Sequence, residues 1–249
     1  MIDIHAHIIP GIDDGSQDMG TSIIMAEMAE ECGVSTIIAT PHCNQLGRFE
    51  NYFSDKLLAC ADELRDELLS EGIDLNIGIG MEIYCTRDVP RLLKEKKLIT
   101  LNNSRYVLVE FDFRTDAARM EGMLYPILDG GYVPVIAHPE RYFDLQNKPE
   151  IIEAWMSNGI EIQLNKGSIF GNFGRSECGF AHILLENDLV TCIASDAHGV
   201  ESRTTYMAEI YDFIATEYSE KKAELLLSEN PRRIFNDEPL ISVRDVQLY

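Results

Sequence analysis

Short apolar, β-branched runs recur seven times along this 249-residue chain, at Ile2–His5, Val34–Ala39, Leu75–Met81, Tyr106–Phe111, Val133–Ala137, Ile160–Leu164 and Leu189–Ala194. The stretches between them are polar or helix-patterned. Leu57, Ala61, Leu64 and Leu68 hold a 3-4-3 rhythm among Asp, Glu and Arg, the stripe of an amphipathic helix. Pro149 ahead of Ile151, with Gly72 and Gly159 behind charged runs, supplies helix start and stop signals. This β–α succession predicts a parallel sheet covered by helices. With no internal linker or change of composition, one domain over 1–249 is expected, residues 236–249 forming a loosely packed tail.

The residues that end the runs decide how such a sheet closes. His7, His42, Glu82, Glu110, His138 and the pair Asp196/His198 follow runs one, two, three, four, five and seven. An open sheet offers only a crevice at its switch point, whereas a barrel gathers every carboxyl end around one mouth. A distorted (β/α)7 TIM-like barrel is therefore expected.

Five of the six histidines sit in these motifs. In Ile2-Asp3-Ile4-His5-Ala6-His7, the period of a strand points both imidazoles to one side, a pair suited to a cation. In Ser195-Asp196-Ala197-His198 the same alternation would carry Asp196 and His198 together. Glu82 and Glu110 each close an apolar run, adding hard oxygen to borderline nitrogen ligands. After the first motif comes Asp13-Asp14-Gly15-Ser16; one aspartate could cap the following helix, as could Ser16 or Asp18, and the pattern leaves open which faces the cations. Arg141 and Arg203, close behind His138 and His198, suit phosphate oxygens, with Lys166 a lesser candidate. Phe49, Tyr52, Phe113, Phe170 and Phe173, on loops after the runs, are candidates for stacking on an aromatic substrate. His182 lies in a helical segment and reads as structural.

Cys85-Thr-Arg-Asp-Val-Pro-Arg91 has the Cys-x5-Arg spacing of thiolate phosphatases. That chemistry needs backbone N–H groups around the phosphate. Pro90 has none, Asp88 would repel the anion, and no glycine opens the loop, so Cys85 is set aside. Cys43, beside His42, also reads as a bystander.

With 42 acidic and 21 basic residues, the net charge of −21 repels nucleic acid. Six scattered cysteines with no Cys-x-x-Cys pair suggest neither a disulfide framework nor a zinc ribbon, so a reduced cytoplasm is expected. No leader is expected ahead of His5, and no apolar run approaches the roughly 20 residues of a membrane span.

These motifs together resemble the polymerase and histidinol phosphatase (PHP) superfamily, and within it the bacterial manganese-dependent protein-tyrosine phosphatases of capsular and exopolysaccharide regulation. The likeness runs from Ile2-Asp-Ile-His-Ala-His-Ile-Ile-Pro-Gly-Ile-Asp-Asp-Gly-Ser16 through Ala39-Thr-Pro-His42 and His138-Pro-Glu-Arg141 to Ala194-Ser-Asp-Ala-His198 and Asn230-Pro231. It implies the PHP fold and three divalent cations, manganese foremost with iron or zinc as alternatives, on His5, His7, Asp14, His42, Glu82, Glu110, His138, Asp196 and His198. It selects Asp14 over Asp13. Arg141 and Arg203 would hold the phosphate, with Asp196 and His198 as further catalytic residues. The implied substrate is the phosphorylated, tyrosine-rich tail of a membrane-associated autokinase, reached without membrane insertion. A PHP phosphatase of a small monoester such as histidinol phosphate, or a non-catalytic kinase-docking protein, is the alternative. Homo-oligomerisation is left open.

Overall fold

The computed structural model describes residues 1–245. Its strands are β1 (Ile2–Ala6), β2 (Thr36–Ala39), β3 (His42–Cys43), β4 (Asn76–Ile79), β5 (Glu82–Tyr84), β6 (Tyr106–Glu110), β7 (Val133–Ala137), β8 (Glu161–Asn165) and β9 (Cys192–Ala194). Seven apolar runs thus give nine strands, because the second and third runs each break in two. Pro41, which has no N–H, interrupts the second, and Gly80-Met81 the third. A Cβ on Gly80 would lie 3.0 Å from Leu101 Cδ2 and 3.2 Å from Ile38 Cγ2, so the break sits where the backbone packs closely.

All strands are parallel. One sheet runs β1-β2-β4 and the other β3-β5-β6-β7-β8-β9, so the broken strands pass from one sheet to the next. Beyond β9 the chain returns to β1. Ala6 pairs with Ala197, Asp196 N–H donates to His5 O at 2.8 Å, and His7 N–H donates to Ala197 O at 2.9 Å. The ring expected from the ligand positions is joined here by one bridge rather than a ladder, which is where the barrel is distorted.

Helices α1 (Met19–Glu31), α2 (Asp55–Glu71), α3 (Val89–Lys94), α4 (Ala117–Asp129), α5 (Pro149–Ser157), α6 (Lys166–Ile169) and α7 (Arg175–Glu186) fill the intervals. Following β9 come α8 (Ala208–Glu217), α9 (Glu220–Glu224) and α10 (Asn230–Phe235). Asp18 caps α1, accepting from Thr21 N–H at 2.8 Å, which leaves Asp13 and Asp14 free of that task. Ser54 opens α2 and left-handed Gly72 closes it, with Leu57, Ala61, Leu64 and Leu68 buried.

Strand alternation sorts the core into two clusters. Ile4, Ile38, Tyr106, Leu108, Val135, Ala137, Cys192 and Ala194 fill the barrel interior, closed below by Leu101 and by Ile234 of α10. Their neighbours Ile37, Val107, Val109, Ile136, Ile162, Leu164 and Ile193 point outward under the helices. In β8 that outward pair leaves Gln163, fully buried, on the other face.

Where a loose tail was expected over 236–249, the described part is tied down. Asp237 pairs with Arg105 at 2.8 Å, Tyr106 Oη donates to Glu238 O at 2.6 Å, and Val243 is buried. Buried Asn230 accepts from Ile241 N–H at 3.0 Å. Residues 246–249 lie outside the described residues. Among the described residues no disulfide forms, and no helix is long and apolar enough to cross a membrane.

Candidate metal centre

Each imidazole of the first motif is held through Nδ1 by a second side chain. His5 Nδ1 lies 2.8 Å from Gln163 Oε1 and His7 Nδ1 lies 2.7 Å from Asp13 Oδ2. This leaves both Nε2 atoms, 3.3 Å apart, aimed at one point. Glu82 Oε2 stands there, 3.3 Å from His5 Nε2, 3.2 Å from His7 Nε2 and 3.0 Å from His42 Nδ1. His42 and Glu82 meet because they are register partners of β3 and β5. Glu110, at the end of β6, comes within 2.9 Å of His42 Nδ1, and His138 Nε2 lies 2.9 Å from Glu82 Oε1.

Asp196 Oδ1 lies 3.4 Å from His5 Nε2 and 3.6 Å from His7 Nε2. Asp14 Oδ1 approaches His42 Nε2 at 3.5 Å and His198 Nε2 at 3.7 Å. All nine expected ligand residues therefore converge, with Asp14 in the cluster and Asp13 behind it. Gly15 makes that turn possible: a Cβ there would sit 2.3 Å from His7 Cβ.

Strand alternation does not aim Asp196 and His198 as the sequence suggested. β9 ends at Ala194, and Asp196 is turned inward by left-handed backbone at φ +50°; His138 is likewise at φ +40°. Such backbone costs a non-glycine residue on the order of 1 kcal/mol, met here at two cluster positions.

Several buried polar atoms find no hydrogen-bond partner: His42 Nδ1, Glu82 Oε2, His138 Nδ1 and His198 Nε2. Such orphans are costly, and imidazole nitrogens clustered with carboxylate oxygens fit divalent cations. Three overlapping sets have ligand atoms within 4.8 Å of one another: His7, Asp14, His42 and His198; His5, His7, Glu82 and Asp196; His42, Glu82 and Glu110.

Burial works against charge throughout, yet the partners prevail. It would lower His7, but Asp13, Asp196 and Glu82 hold that imidazole well above its ordinary range; His42, opposed by burial but facing Glu82 and Glu110, rises to about 10. Burial would raise Glu82 and Asp196, but facing histidines, with Arg203 for Asp196, hold both well below the carboxylate range. His198 goes the other way, lowered to about 3 by burial and the charge of His7.

At the rim, Arg203 donates to Asp196 Oδ1 at 2.6 Å and Arg141 lies 3.5 Å from Oδ2. Phe113 and Phe173 hold Arg141, their ring centres 4.6 and 4.4 Å from its guanidinium carbon. Both arginines line a cavity of about 280 Å³ with Tyr84, Phe111 and Phe113. Of the five loop aromatics proposed for stacking, only Phe113 lines it. Phe49 stacks on His42 at 4.9 Å, Phe173 serves Arg141, Tyr52 donates to Asn44, and Phe170 packs on Phe213. Lys166 turns away to Tyr206 O, so it is no phosphate ligand of this cavity. His182 contacts Ile169 O and Phe213. Cys85 is buried and its thiol pushed up by desolvation, the reverse of an activated nucleophile.

Gln163 and Asn165 were not singled out from the sequence, and Asp13 was left open beside Asp14. Gln163 joins His5 to Asn165, whose amide donates to Asp196, so β8 orients ligands without being one. The signal was there: Glu161, Gln163 and Asn165 alternate with Ile162 and Leu164, polar on the face that neighbouring strands keep apolar.

A parallel α/β barrel with histidines and carboxylates clustered at the carboxyl ends of its strands belongs to the class of metal-dependent barrel hydrolases. Residues 1–236 match the family described as capsular polysaccharide synthesis, CpsB/CapC, and the chain belongs to that family. It is 37% identical to the tyrosine-protein phosphatase CpsB of Streptococcus pneumoniae over 243 residues, 96% of this chain and 99% of that one. It is 35% identical to the tyrosine-protein phosphatase YwqE of Bacillus subtilis (strain 168), covering 96% of this chain and 93% of the relative. A crystal structure from work on YwqE of Bacillus subtilis and CpsB of Streptococcus pneumoniae, described as metal-dependent tyrosine phosphatases, matches at 35% identity with a TM-score of 0.90 over 97% of this chain and 96% of that chain.

Proposed function

We propose that this protein is a metal-dependent protein-tyrosine phosphatase acting in the cytoplasm on the phosphorylated tyrosine-rich tail of a membrane-associated autokinase, in the control of capsule or exopolysaccharide synthesis. The observation that carries this reading is Glu82 Oε2, buried without a hydrogen-bond partner among three imidazoles, beneath a cavity lined by Arg141 and Arg203. The names of the relatives support it.

His5, His7, Asp14, His42, Glu82, Glu110, His138, Asp196 and His198 would hold three divalent cations, manganese foremost. When bound, these would make water nucleophilic near neutrality and draw charge from the phosphoryl oxygens. Glu82, within 3.3 Å of His5 and His7 and 3.0 Å of His42, would be a ligand shared within this set. His198, held to about 3, carries no proton at neutral pH and offers a lone pair. Asp196 is also ionised, so neither residue has a proton for the leaving oxygen; a phenolate departs without one. Arg141, braced by Phe113 and Phe173, and Arg203, held by Asp196, would bind the nonbridging oxygens, where charge must be met. Tyr84, Phe111 and Phe113 offer the tyrosyl ring an aromatic wall.

The test is turnover of a phosphotyrosine peptide, a phosphoserine peptide and histidinol phosphate with manganese and with a chelator, for wild type, His5→Ala and Cys85→Ser. Manganese-dependent preference for phosphotyrosine, lost in His5→Ala and kept in Cys85→Ser, is expected. Equal or faster turnover of histidinol phosphate would remove the assigned substrate, and loss confined to Cys85→Ser would remove the metal mechanism.

A further inference from the structure

Nine arginines pair with carboxylates, although the chain carries twice as many acidic as basic residues. Arg87, Arg114, Arg119 and Arg175 have no ion pair among the described residues, and the first three line one cavity of about 890 Å³. It lies between the turn after β5, the turn after β6 and the first half of α4, with Met123 also in its lining. Tyr84, Phe111 and Asp112 line both this cavity and the one above the metal centre, so the two are adjacent.

Three unpaired guanidiniums repel one another, and a fold this acidic had carboxylates with which to pair them. Asp112, the acidic residue of the lining, spends one oxygen on the Arg114 backbone N–H at 2.9 Å, closing the local turn rather than pairing with a guanidinium. Arg119, in the first turn of α4, lines this cavity together with Tyr84, which also lines the one above the metal centre. The Cys85–Arg91 stretch, set aside as a catalytic motif, contributes Arg87 to this wall.

We infer that this cavity binds acidic side chains flanking the target tyrosine in the same peptide, making the enzyme selective for phosphotyrosine in an acidic context. The inference rests on the phosphatase reading above. A ring seated against Tyr84 and Phe111 leaves its chain neighbours, about 3.3 Å apart per residue, over the shared wall and within reach of the guanidiniums. Guanidinium forks donate to carboxylate or phosphate oxygens alike, so a second phosphotyrosine on the peptide is the other source of the same chemistry.

The test compares singly phosphorylated peptides with glutamate or neutral flanks, a neutral peptide carrying a second phosphotyrosine, and p-nitrophenyl phosphate. The proteins are wild type and Arg87→Ala/Arg114→Ala/Arg119→Ala, with circular dichroism to show that the variant is folded. Wild type is expected to show a KM about tenfold lower for glutamate than for neutral flanks, kcat being alike, and the triple variant to lose that gap. p-Nitrophenyl phosphate, too short to reach the cavity, should be turned over equally by both proteins. Equal KM for glutamate and neutral flanks in wild type, or a gap that survives in the triple variant, would overturn the inference; a gap only for the doubly phosphorylated peptide would overturn its carboxylate form. If wild type turns over no aryl phosphate, the phosphatase reading fails instead, and fluorescence anisotropy then decides. Tighter binding of an unphosphorylated glutamate peptide by wild type than by the triple variant supports the site, and equal binding refutes it.

Discussion

The two ends of this barrel are built from the same strands and opposite chemistry. At the amino ends Leu101 and Ile234 close an interior of Ile4, Leu108, Val135 and Cys192. At the carboxyl ends those strands give way to five histidines and four carboxylates, most of them buried. The lower end gains stability by removing apolar surface from water, while the upper end gathers buried polar groups, unfavourable unless something binds them. Function and folding are thus separated along the barrel axis, and substitutions at the two ends should fail differently.

Glu82→Gln, which keeps the shape and removes the charge, should lower phosphotyrosine turnover at least about a thousandfold while the protein stays folded. Steady-state kinetics with a thermal melt checks this. At the other end, Ile234→Ala should cost about 2–5 kcal/mol in denaturant unfolding while kcat per folded molecule stays close to wild type. An Ile234→Ala protein that keeps its stability would deny that this end carries the fold. Gln163→Ala lies between, freeing His5 without removing a ligand, and should weaken manganese affinity or turnover about 10- to 100-fold in calorimetry or kinetics.

A smaller effect belongs to the upper end alone. The facing carboxylates hold His7 well above its ordinary range and push His42 up to about 10, so His42 carries a proton at neutral pH until a cation displaces it. Manganese added to chelator-treated protein at pH 7 should therefore release protons, and affinity should fall as pH falls. A pH-stat titration with no proton release would contradict these partners.

The apolar strands and the residues gathered at their ends were legible, because short apolar runs ended by His, Asp or Glu are improbable unless the ends meet; Leu101 and Ile234, which close the lower end, were not. Glu82 was readable as a strand end, yet it begins β5, because apolar residues continue across Gly80-Met81 and hide the break. The inward turn of Asp196 could not be read, since left-handed backbone at a non-glycine leaves no local signal. Asp14 and Asp13 were separated only by resemblance, because their roles depend on contacts with His198 and His7 from distant or sequence-near loops alike. The roles of Phe49 and Phe173 needed the packed loops, which no periodicity encodes.

Everything at the upper end turns on whether its cluster binds cations. Anomalous diffraction at the manganese edge, from crystals grown with manganese, tests it most directly. Three peaks within coordination distance of the nine ligand residues are expected, with Glu82 between two of them. Peaks elsewhere, or none in a crystal whose protein retains manganese-dependent turnover, would contradict it.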